Sequence, residues 1–198
     1  MYCDIVRKLA VVTDASVWPV TVAEVKAHIR QSGSVGTEED TQLSLMIAAA
    51  TVMVENHCGL SMAARTLAMS LSDFPTLPVT LWYPRVATIS AFKYYDGDNV
   101  LQTLASTYYD AELAGIRPSV SLSYGKTWPV SRSRPFPVVI EYTTAAMNTD
   151  VLKMAILMIA ADLYENRESQ ITSQYFGERS VIPNPSMSRM LNPYAVSL

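Results

Sequence analysis

The sequence predicts an α+β fold, in which a helical bundle of three main helices carries an inserted antiparallel β-sheet or sandwich unit and ends in an extended C-terminal tail. Apolar residues recur with helical spacing before residue 60 and after residue 149, alternate with period two in the region between, and are interrupted by prolines in the tail. These patterns divide the chain into four segments: 1–64 (arm and first two helices), 65–147 (β unit), 148–168 (third helix) and 169–198 (tail).

The first helix has a clear start signal. Residues 1–20 predict an irregular or short extended arm that ends at Pro19, because the residue before a proline avoids the α region. Thr21 and Glu24 have the spacing of a capping box, in which each side chain satisfies a backbone N–H of the other residue. A helix over about residues 22–31 is therefore expected.

The second helix is predicted to begin at Thr37, and the acidic residues that follow it suit the positive end of the helix dipole. Gly59 is a natural C-terminal stop. Residues at helical spacing along this segment form one predicted buried face: Leu43, Met46, Ile47, Ala50 and Val54.

Residues 65–145 change to the period of a strand. Leu67, Met69 and Leu71 alternate with small or polar residues, and residues 96–99, Asp-Gly-Asp-Asn, are a strong hairpin signal. The many prolines of the segment favour short strands with exposed edges. We therefore expect an antiparallel sheet or small sandwich of roughly five to seven strands.

The third helix, over about residues 150–168, is predicted to be apolar nearly all round. Lys153 and Asp162 are nine residues apart, so they project from opposite sides at ~100° per residue. A helix without a wide polar face is buried on most sides, either at the centre of the fold or under a neighbouring subunit. In the tail, only a short helix near residues 186–191 is expected.

Composition narrows the possible functions. The charged fraction is 17%, below the ~25% of ordinary globular chains, which favours apolar surface covered by partners. The net charge of −3 gives no bulk attraction to nucleic acid or anionic lipid. Two cysteines fit a reducing compartment better than a disulfide scaffold. The longest apolar stretch, residues 151–164, is shorter than the ~20 apolar residues that cross a membrane.

Motifs of catalytic or cofactor chemistry were sought, and each partial match has a simpler structural reading. Residues 124–127, Tyr-Gly-Lys-Thr, are similar to the end of a phosphate-binding loop but predict a turn, because position 120 is Val and Pro129 prevents an immediate helix. His28 and His57 have no second ligand at metal spacing. Two further features predict ordinary loop positions rather than calcium or phosphate sites: the hairpin residues Asp96 and Asp98, and the arginine pair Arg132 and Arg134. No enzyme activity, metal or cofactor is expected.

Three segments together carry a family resemblance. They are Pro19-Val20-Thr21 with Glu24, Lys26, His28 and Arg30; Asp73-Phe74-Pro75; and Tyr164-Glu165-Asn166-Arg167-Glu168. With this order and a helix–helix–sheet–helix arrangement over about residues 17–168, the chain resembles the head–tail connector (adaptor) proteins of tailed bacteriophages and related gene transfer agents, in the branch with a β-rich insertion. The tail, Met190-Leu191-Asn192-Pro193-Tyr194, partly resembles the Leu-x-Pro-Tyr ending of the wider connector group.

The resemblance implies a structural subunit of the virion neck, made in the bacterial host cytoplasm. Such subunits form a ring, usually of twelve copies, beneath the portal protein. The ring extends the DNA channel and docks the next neck protein, a head-closure or tail-completion protein. DNA passes through without specific binding, which an acidic chain favours. No membrane partner is implied.

The resemblance and the tail composition also give candidate contact residues. For contacts between subunits they are Tyr164, Glu165, Arg167 and Glu168; for contacts with the portal they are Arg189, Leu191, Pro193 and Tyr194. The alternative for the tail is a strap that lies across its own domain. Alternatives for the whole chain are a head-closure or tail-completion protein, which the two N-terminal helices disfavour, and a small hydrolase or nucleotide-binding enzyme, which the missing motifs disfavour.

Overall fold

The structure is a computed structural model and describes residues 6–14, 17–30, 37–115, 117–147, 149–166 and 185–196. The chain divides into two compact units: a sheet unit of residues 1–16, 63–147 and 198, and a helical unit of residues 17–62 and 148–197. The predicted α+β fold class is confirmed. The helices are α1 Val22–His28, α2 Thr37–Cys58, α3 Asp150–Glu165 and α4 Pro185–Leu191.

The sheet unit contains eight strands among the described residues, in two antiparallel sheets. A five-stranded sheet has the order β1-β2-β8-β4-β5, and a three-stranded sheet has the order β3-β7-β6. The strands are β1 Arg7–Thr13, β2 Thr66–Leu71, β3 Val79–Thr80, β4 Val86–Tyr95, β5 Leu101–Thr103, β6 Tyr109–Glu112, β7 Ser119–Leu122 and β8 Val138–Thr144.

Strand β1 is one more strand than the sequence predicted. The sequence indicated an irregular or short extended arm over residues 1–20, but β1 pairs antiparallel with β2, from Arg7 opposite Leu71 to Thr13 opposite Thr66. The partner is remote in sequence and β1 exposes nearly all its side chains, so no period-two burial pattern marks it. The segment is thus part of the sheet unit rather than of the helices that follow it.

An aromatic cluster fills the core of the sheet unit. Phe92 is 1% exposed, and its ring lies 5.2 Å from that of Tyr109 and 5.7 Å from that of Trp128. Phe74 stacks on Trp128 at 4.9 Å, and the Trp128 indole N–H donates to the Pro75 carbonyl at 2.8 Å. These contacts fix the loop that carries Trp128 onto the sheets.

The predicted start of α1 is confirmed. The Thr21 hydroxyl accepts a hydrogen bond from the Glu24 N–H at 3.2 Å, and the Glu24 carboxylate accepts from the Thr21 N–H at 2.7 Å, which is the complete capping box. An ion pair at 2.5 Å between Lys26 and Asp40 then links α1 to the first turn of α2. The start of α1 is therefore determined by side chains close to it in the sequence.

Helix α3 is not buried on most sides within its own unit, and the predicted coverage by a neighbouring subunit stays a prediction. It buries one face, formed by Leu152, Ala155, Ile156, Ile159 and Ala160. Val151 and Met154, on the other side, are 38% and 44% exposed. The helix begins after the Thr149 cap as expected and ends at Glu165, three residues before the predicted end at 168. An apolar composition alone therefore did not identify which side of α3 meets its own unit.

Residues 185–196 pack within the helical unit. Leu191, in α4, is 3% exposed, and the Cys58 thiol donates to its carbonyl at 3.8 Å. The Val196 N–H donates to the Cys58 carbonyl at 2.8 Å. For residues 185–196 this is the strap arrangement that the sequence left as an alternative; residues 167–184 lie outside the described residues.

Candidate functional site

Helix α2 has two apolar faces. The inner face is buried and contains Leu43, Ile47, Ala50 and Val54. A second set of apolar residues, here named the α2 outer stripe, is exposed and consists of Leu45, Ala49, Val52 and Met53. Leu45 is 67%, Val52 44% and Met53 51% exposed. At ~100° per residue the stripe lies nearly opposite the inner face.

The outer stripe of α2 has no charged neighbours along its length. Between Asp40 and Glu55 the sequence contains no Asp, Glu, Lys or Arg. A surface helix ordinarily places charged residues on the side opposite its core. An exposed apolar stripe on an uncharged stretch is typical of a surface that another protein covers.

Helix α3 carries a similar stripe. Val151, Met154, Met158 and Ala161, named here the α3 outer stripe, recur at helical spacing within about 80° of one another. Met158 and Ala161 are half-buried, whereas Val151 and Met154 are exposed. The α3 inner face lies on the other side of the helix, so this stripe also points away from the core of the helical unit.

The predicted inter-subunit residues separate into three cases. Tyr164 forms a contact within its own unit, because its hydroxyl donates a hydrogen bond to the Glu39 carboxylate of α2 at 2.5 Å. Glu165 is exposed at the C-terminal end of the α3 outer stripe. Arg167 and Glu168 lie outside the described residues. Of the set, Glu165 is the residue placed beside an available apolar surface.

The predicted portal residues are also divided by burial. Arg189 and Pro193 are exposed, Tyr194 is half-buried, and Leu191 is buried in the helical unit. The side chain of Leu191 therefore positions this segment within its own unit. Of the four predicted portal residues, Arg189, Pro193 and part of Tyr194 therefore lie on the surface of the segment.

One loop of the sheet unit presents two strongly exposed side chains on a fixed backbone. Tyr124 is 102% and Val130 82% exposed. The loop is held by Trp128, described above, and by Arg134, whose guanidinium lies 3.9 Å from the centre of the Tyr95 ring. The predicted turn at residues 124–127 is confirmed, with Gly125 at a φ of 74°. The predicted loop arginines are exposed, and Arg134 also contacts the β4–β5 hairpin.

Hydrogen bonding and burial explain the pKa shifts of two groups among the described residues. Hydrogen bonds from Thr21 hold the pKa of the Glu24 carboxyl below its usual value, and burial raises the pKa of the Cys58 thiol. Among the residues that the structure describes, no three or more His, Cys, Asp or Glu side chains are grouped so that they could hold a metal ion. Within the same residues, no helix has the length and apolar character that spanning a membrane requires.

Comparison with known proteins gives a likeness in fold. No protein-family model matches the chain, and no curated protein matches it. Among solved structures, a chain of the virion of a native gene transfer agent particle matches with a TM-score of 0.74 and 22% identity, over 96% of both chains. The chain has the fold of a gene transfer agent particle protein.

Two further matches are chains from the necks of gene transfer agent particles. In the neck of an empty particle computed with C6 symmetry, the TM-score is 0.75 at 20% identity; in the neck of a native particle computed with C12 symmetry, it is 0.72 at 20%. Each match covers 96% of this chain and 96% of the other. The resemblance to gene transfer agent proteins that the sequence predicted is thus confirmed at the level of fold.

The sequence reading missed the α2 outer stripe. It identified the inner face of α2 by its helical spacing, but Leu45, Ala49 and Val52 have the same kind of spacing, at i, i+4 and i+7. This second spacing marks the outer stripe in the sequence itself. Burial was needed only to decide which of the two stripes the chain covers itself.

Proposed function

We propose that the chain is a structural head–tail adaptor subunit of the virion neck, which forms a ring beneath the portal, extends the DNA channel and docks the next neck or tail protein. The observation that carries the proposal is the likeness in fold, over 96% of the chain, to chains of gene transfer agent necks. The protein would act at the head–tail junction after synthesis in the host cytoplasm.

The surface of the chain supports a role in assembly rather than catalysis. The two outer stripes expose apolar side chains on regular helices, where a preformed surface needs no ordering before it binds. The matched neck structures have cyclic symmetry, which is the symmetry of a ring. Both observations favour function through contacts between copies and with other neck proteins.

The net charge supports a channel through which DNA slides. Twelve copies, one arrangement that C12 symmetry allows, would multiply the net charge of −3 per chain to −36. A ring with that charge gains no counterion release from the DNA backbone and therefore does not hold the duplex by bulk attraction. Specific DNA binding is not part of the proposal.

The portal contact in this proposal is the exposed side of the C-terminal segment. Arg189 and Pro193 project from a segment that Leu191 holds on the helical unit. Arg is enriched in the energetically important positions of protein interfaces. The structure thus supports Arg189 as the first residue to test, with Tyr194 beside it.

The proposal is tested by mixing the purified full-length chain with the portal protein of the same particle. Mass photometry and negative-stain microscopy are expected to show a closed ring attached to the portal. Arg189→Glu should weaken attachment while the fold remains intact, and Lys8→Glu, at an exposed position of β1, serves as the matched charge control. A chain that stays monomeric within assembled particles would contradict the proposal.

A further inference from the structure

The outer stripes of α2 and α3 are two different apolar surfaces on one helical unit. Helix α2 packs against α3, and both helices also contact α1 and α4. Their inner faces therefore line one shared core, and each outer stripe lies on the opposite side of its helix. The two stripes consequently point away from that core in different directions.

We propose that the α2 outer stripe of one copy packs against the α3 outer stripe of the next copy. This inference rests on the proposed ring and assigns the surfaces that close it. A contact between two unlike surfaces is heterologous, and heterologous contacts generate rings when the rotation closes. The cyclic symmetry of the matched neck structures fits this kind of contact.

The two stripes match in length and in character. The α2 stripe extends from Leu45 to Met53, about 12 Å along its helix, and the α3 stripe extends from Val151 to Ala161, about 15 Å. Both contain aliphatic and methionine side chains and one small alanine, which is Ala49 within the α2 stripe and Ala161 at the C-terminal end of the α3 stripe. Small residues between larger ones allow two helices to interlock at close distance.

A heterologous contact with a second copy is favoured over a two-fold contact because it covers both outer stripes. Packing α2 against α2 about a two-fold axis would close at a dimer and leave Val151 and Met154 in water. The heterologous contact buries both stripes in every copy of a ring. It also explains the low charged fraction of the chain, 17%, because the uncharged part of α2 is then interior to the assembly.

The centre of each stripe provides a test that does not depend on helix direction. Ala49 lies midway between Leu45 and Val52, and Met154 lies midway between Val151 and Met158. When the two stripes are centred on each other, these positions oppose each other whether the helices run parallel or antiparallel. Ala49 and Met154 are both exposed in the chain itself, so substitutions there spare the core.

The experiment compares full-length A49E, M154K and the double variant A49E/M154K with wild type. V130E, at an 82% exposed position of the sheet unit, is the matched control. Self-association is measured by mass photometry over a concentration series, alone and with portal, and circular dichroism confirms folding. We expect each single variant to weaken self-association by at least about a hundredfold, because an unpaired charge becomes buried. The double variant should recover to within about tenfold of wild type, and V130E should match wild type.

The outcomes separate this inference from the proposed function. If wild type forms no ring even with portal, both are wrong. If wild type forms a ring and both single variants form it equally well, the ring stands and this assignment of its surfaces is wrong. If M154K is harmless while A49E disrupts the ring, α2 meets something other than α3, and the assignment is again overturned. Loss in both single variants without recovery in the double variant would contradict direct α2–α3 pairing.

Discussion

The sheet unit and the helical unit expose apolar side chains in different places. In the sheet unit the most exposed examples, Leu77, Tyr124 and Val130, lie in loops, while the interior is filled by an aromatic cluster. In the helical unit, apart from Val17 before α1, the exposed large apolar residues lie on the regular faces of α2 and α3. Residues that stabilise the fold and exposed apolar residues are therefore found on the same helices in the helical unit, whereas the most exposed ones of the sheet unit lie in loops.

This difference has a physical origin. A helix presents a continuous stripe on each side, so α2 can bury Leu43 and Val54 and still offer Leu45 and Val52 to a partner. Along β8 burial alternates strictly, from Val138 to Thr144, and every second side chain belongs to the core. Substitutions on the inner side of α2 should thus affect folding and those on its outer side should affect assembly, whereas every second position along β8 should affect folding.

The largest expected effect is that of Phe92→Ala in the sheet unit. The Phe92 ring contacts Phe74, Tyr109 and Trp128 and is 1% exposed, so its removal leaves a cavity that costs about 3–5 kcal/mol of unfolding free energy. Chemical denaturation measures this change, and amide hydrogen exchange shows in which unit protection is lost. Leu45→Ala is the paired variant and should change the unfolding free energy by less than about 0.5 kcal/mol. Equal losses from both variants would contradict the contrast between core and stripe.

A slightly smaller effect is expected for Leu191→Ala in the helical unit. Leu191 is 3% exposed, and truncation of a buried leucine costs about 2–5 kcal/mol. Asn192→Ala, at the exposed neighbouring position, should be within about 0.5 kcal/mol of wild type. Thermal and chemical unfolding measure both variants. If Leu191→Ala leaves stability unchanged and instead abolishes portal binding, Leu191 contacts the portal and does not anchor the segment to its own unit.

A third effect, about 0.5–1.5 kcal/mol, is expected for Tyr142→Phe, which removes one buried hydrogen bond from the sheet unit. The Tyr142 hydroxyl donates to the Trp82 carbonyl at 3.0 Å. Burial raises the pKa of Tyr142 above its usual value, so the folded state holds this proton more tightly than the unfolded state does.

The sign of the pH dependence follows from that difference. The neutral Tyr142 hydroxyl contributes its full stabilisation below the pKa of tyrosine in the unfolded state, about 10. This stabilisation is lost as the pH rises towards the pKa of Tyr142 in the folded state. Wild type should therefore lose stability above about pH 10, and Tyr142→Phe should lose less over the same interval. Denaturation midpoints at a series of alkaline pH values measure this. Identical alkaline slopes in the two proteins would show that Tyr142 does not contribute to them.

The sequence predicts those structural features that are determined by residues close to one another in the chain. The capping box of Thr21 and Glu24, the hairpin at residues 96–99 and the Thr149 start of α3 each depend on side chains within a few residues. Strand β1 was not recognised because its hydrogen bonds come from β2. The orientation of α3 was missed for a related reason: an apolar helix has several possible buried faces, and only its packing partners select one.

Among the predicted contact residues, the sequence identified some that are exposed and one that is buried. Glu165 and Arg189 were named as contact residues from the resemblance, and both prove to be exposed. Leu191 was named for the same purpose but is buried in its own unit, where the Cys58 thiol at the end of α2 donates to its carbonyl. Apolar anchors in a terminal segment do not reveal by sequence whether they bind the chain's own core or a partner. The distinction requires the tertiary structure.

The smallest expected effect is that of Asp96→Asn at the tip of the β4–β5 hairpin. The Asp96 carboxylate accepts hydrogen bonds from the Gln102 side-chain amide at 2.8 Å and from the N–H groups of Val100 and Asp98 at 2.9 and 3.1 Å. These donors, with Gln102 foremost, hold the pKa of Asp96 below its usual value. The hairpin is therefore stabilised by the charged carboxylate above the unfolded pKa of about 3.9, and this contribution is lost as the pH falls through the folded pKa.

The expected result is local. Asp96→Asn should speed amide exchange at Val100 with little change in global unfolding, since an exposed turn opens without the core. Asp98→Asn is the matched control. It removes the same charge from the same turn, but Asp98 contacts the Asp96 carboxylate through its backbone N–H, which the substitution retains. NMR titration of the Asp96 carboxyl between about pH 2 and 6 measures the pKa directly. An Asp96 pKa at or above the usual value would mean that the charged carboxylate does not stabilise the hairpin, which is then held by its backbone pairing and by the contacts of Arg132 and Arg134.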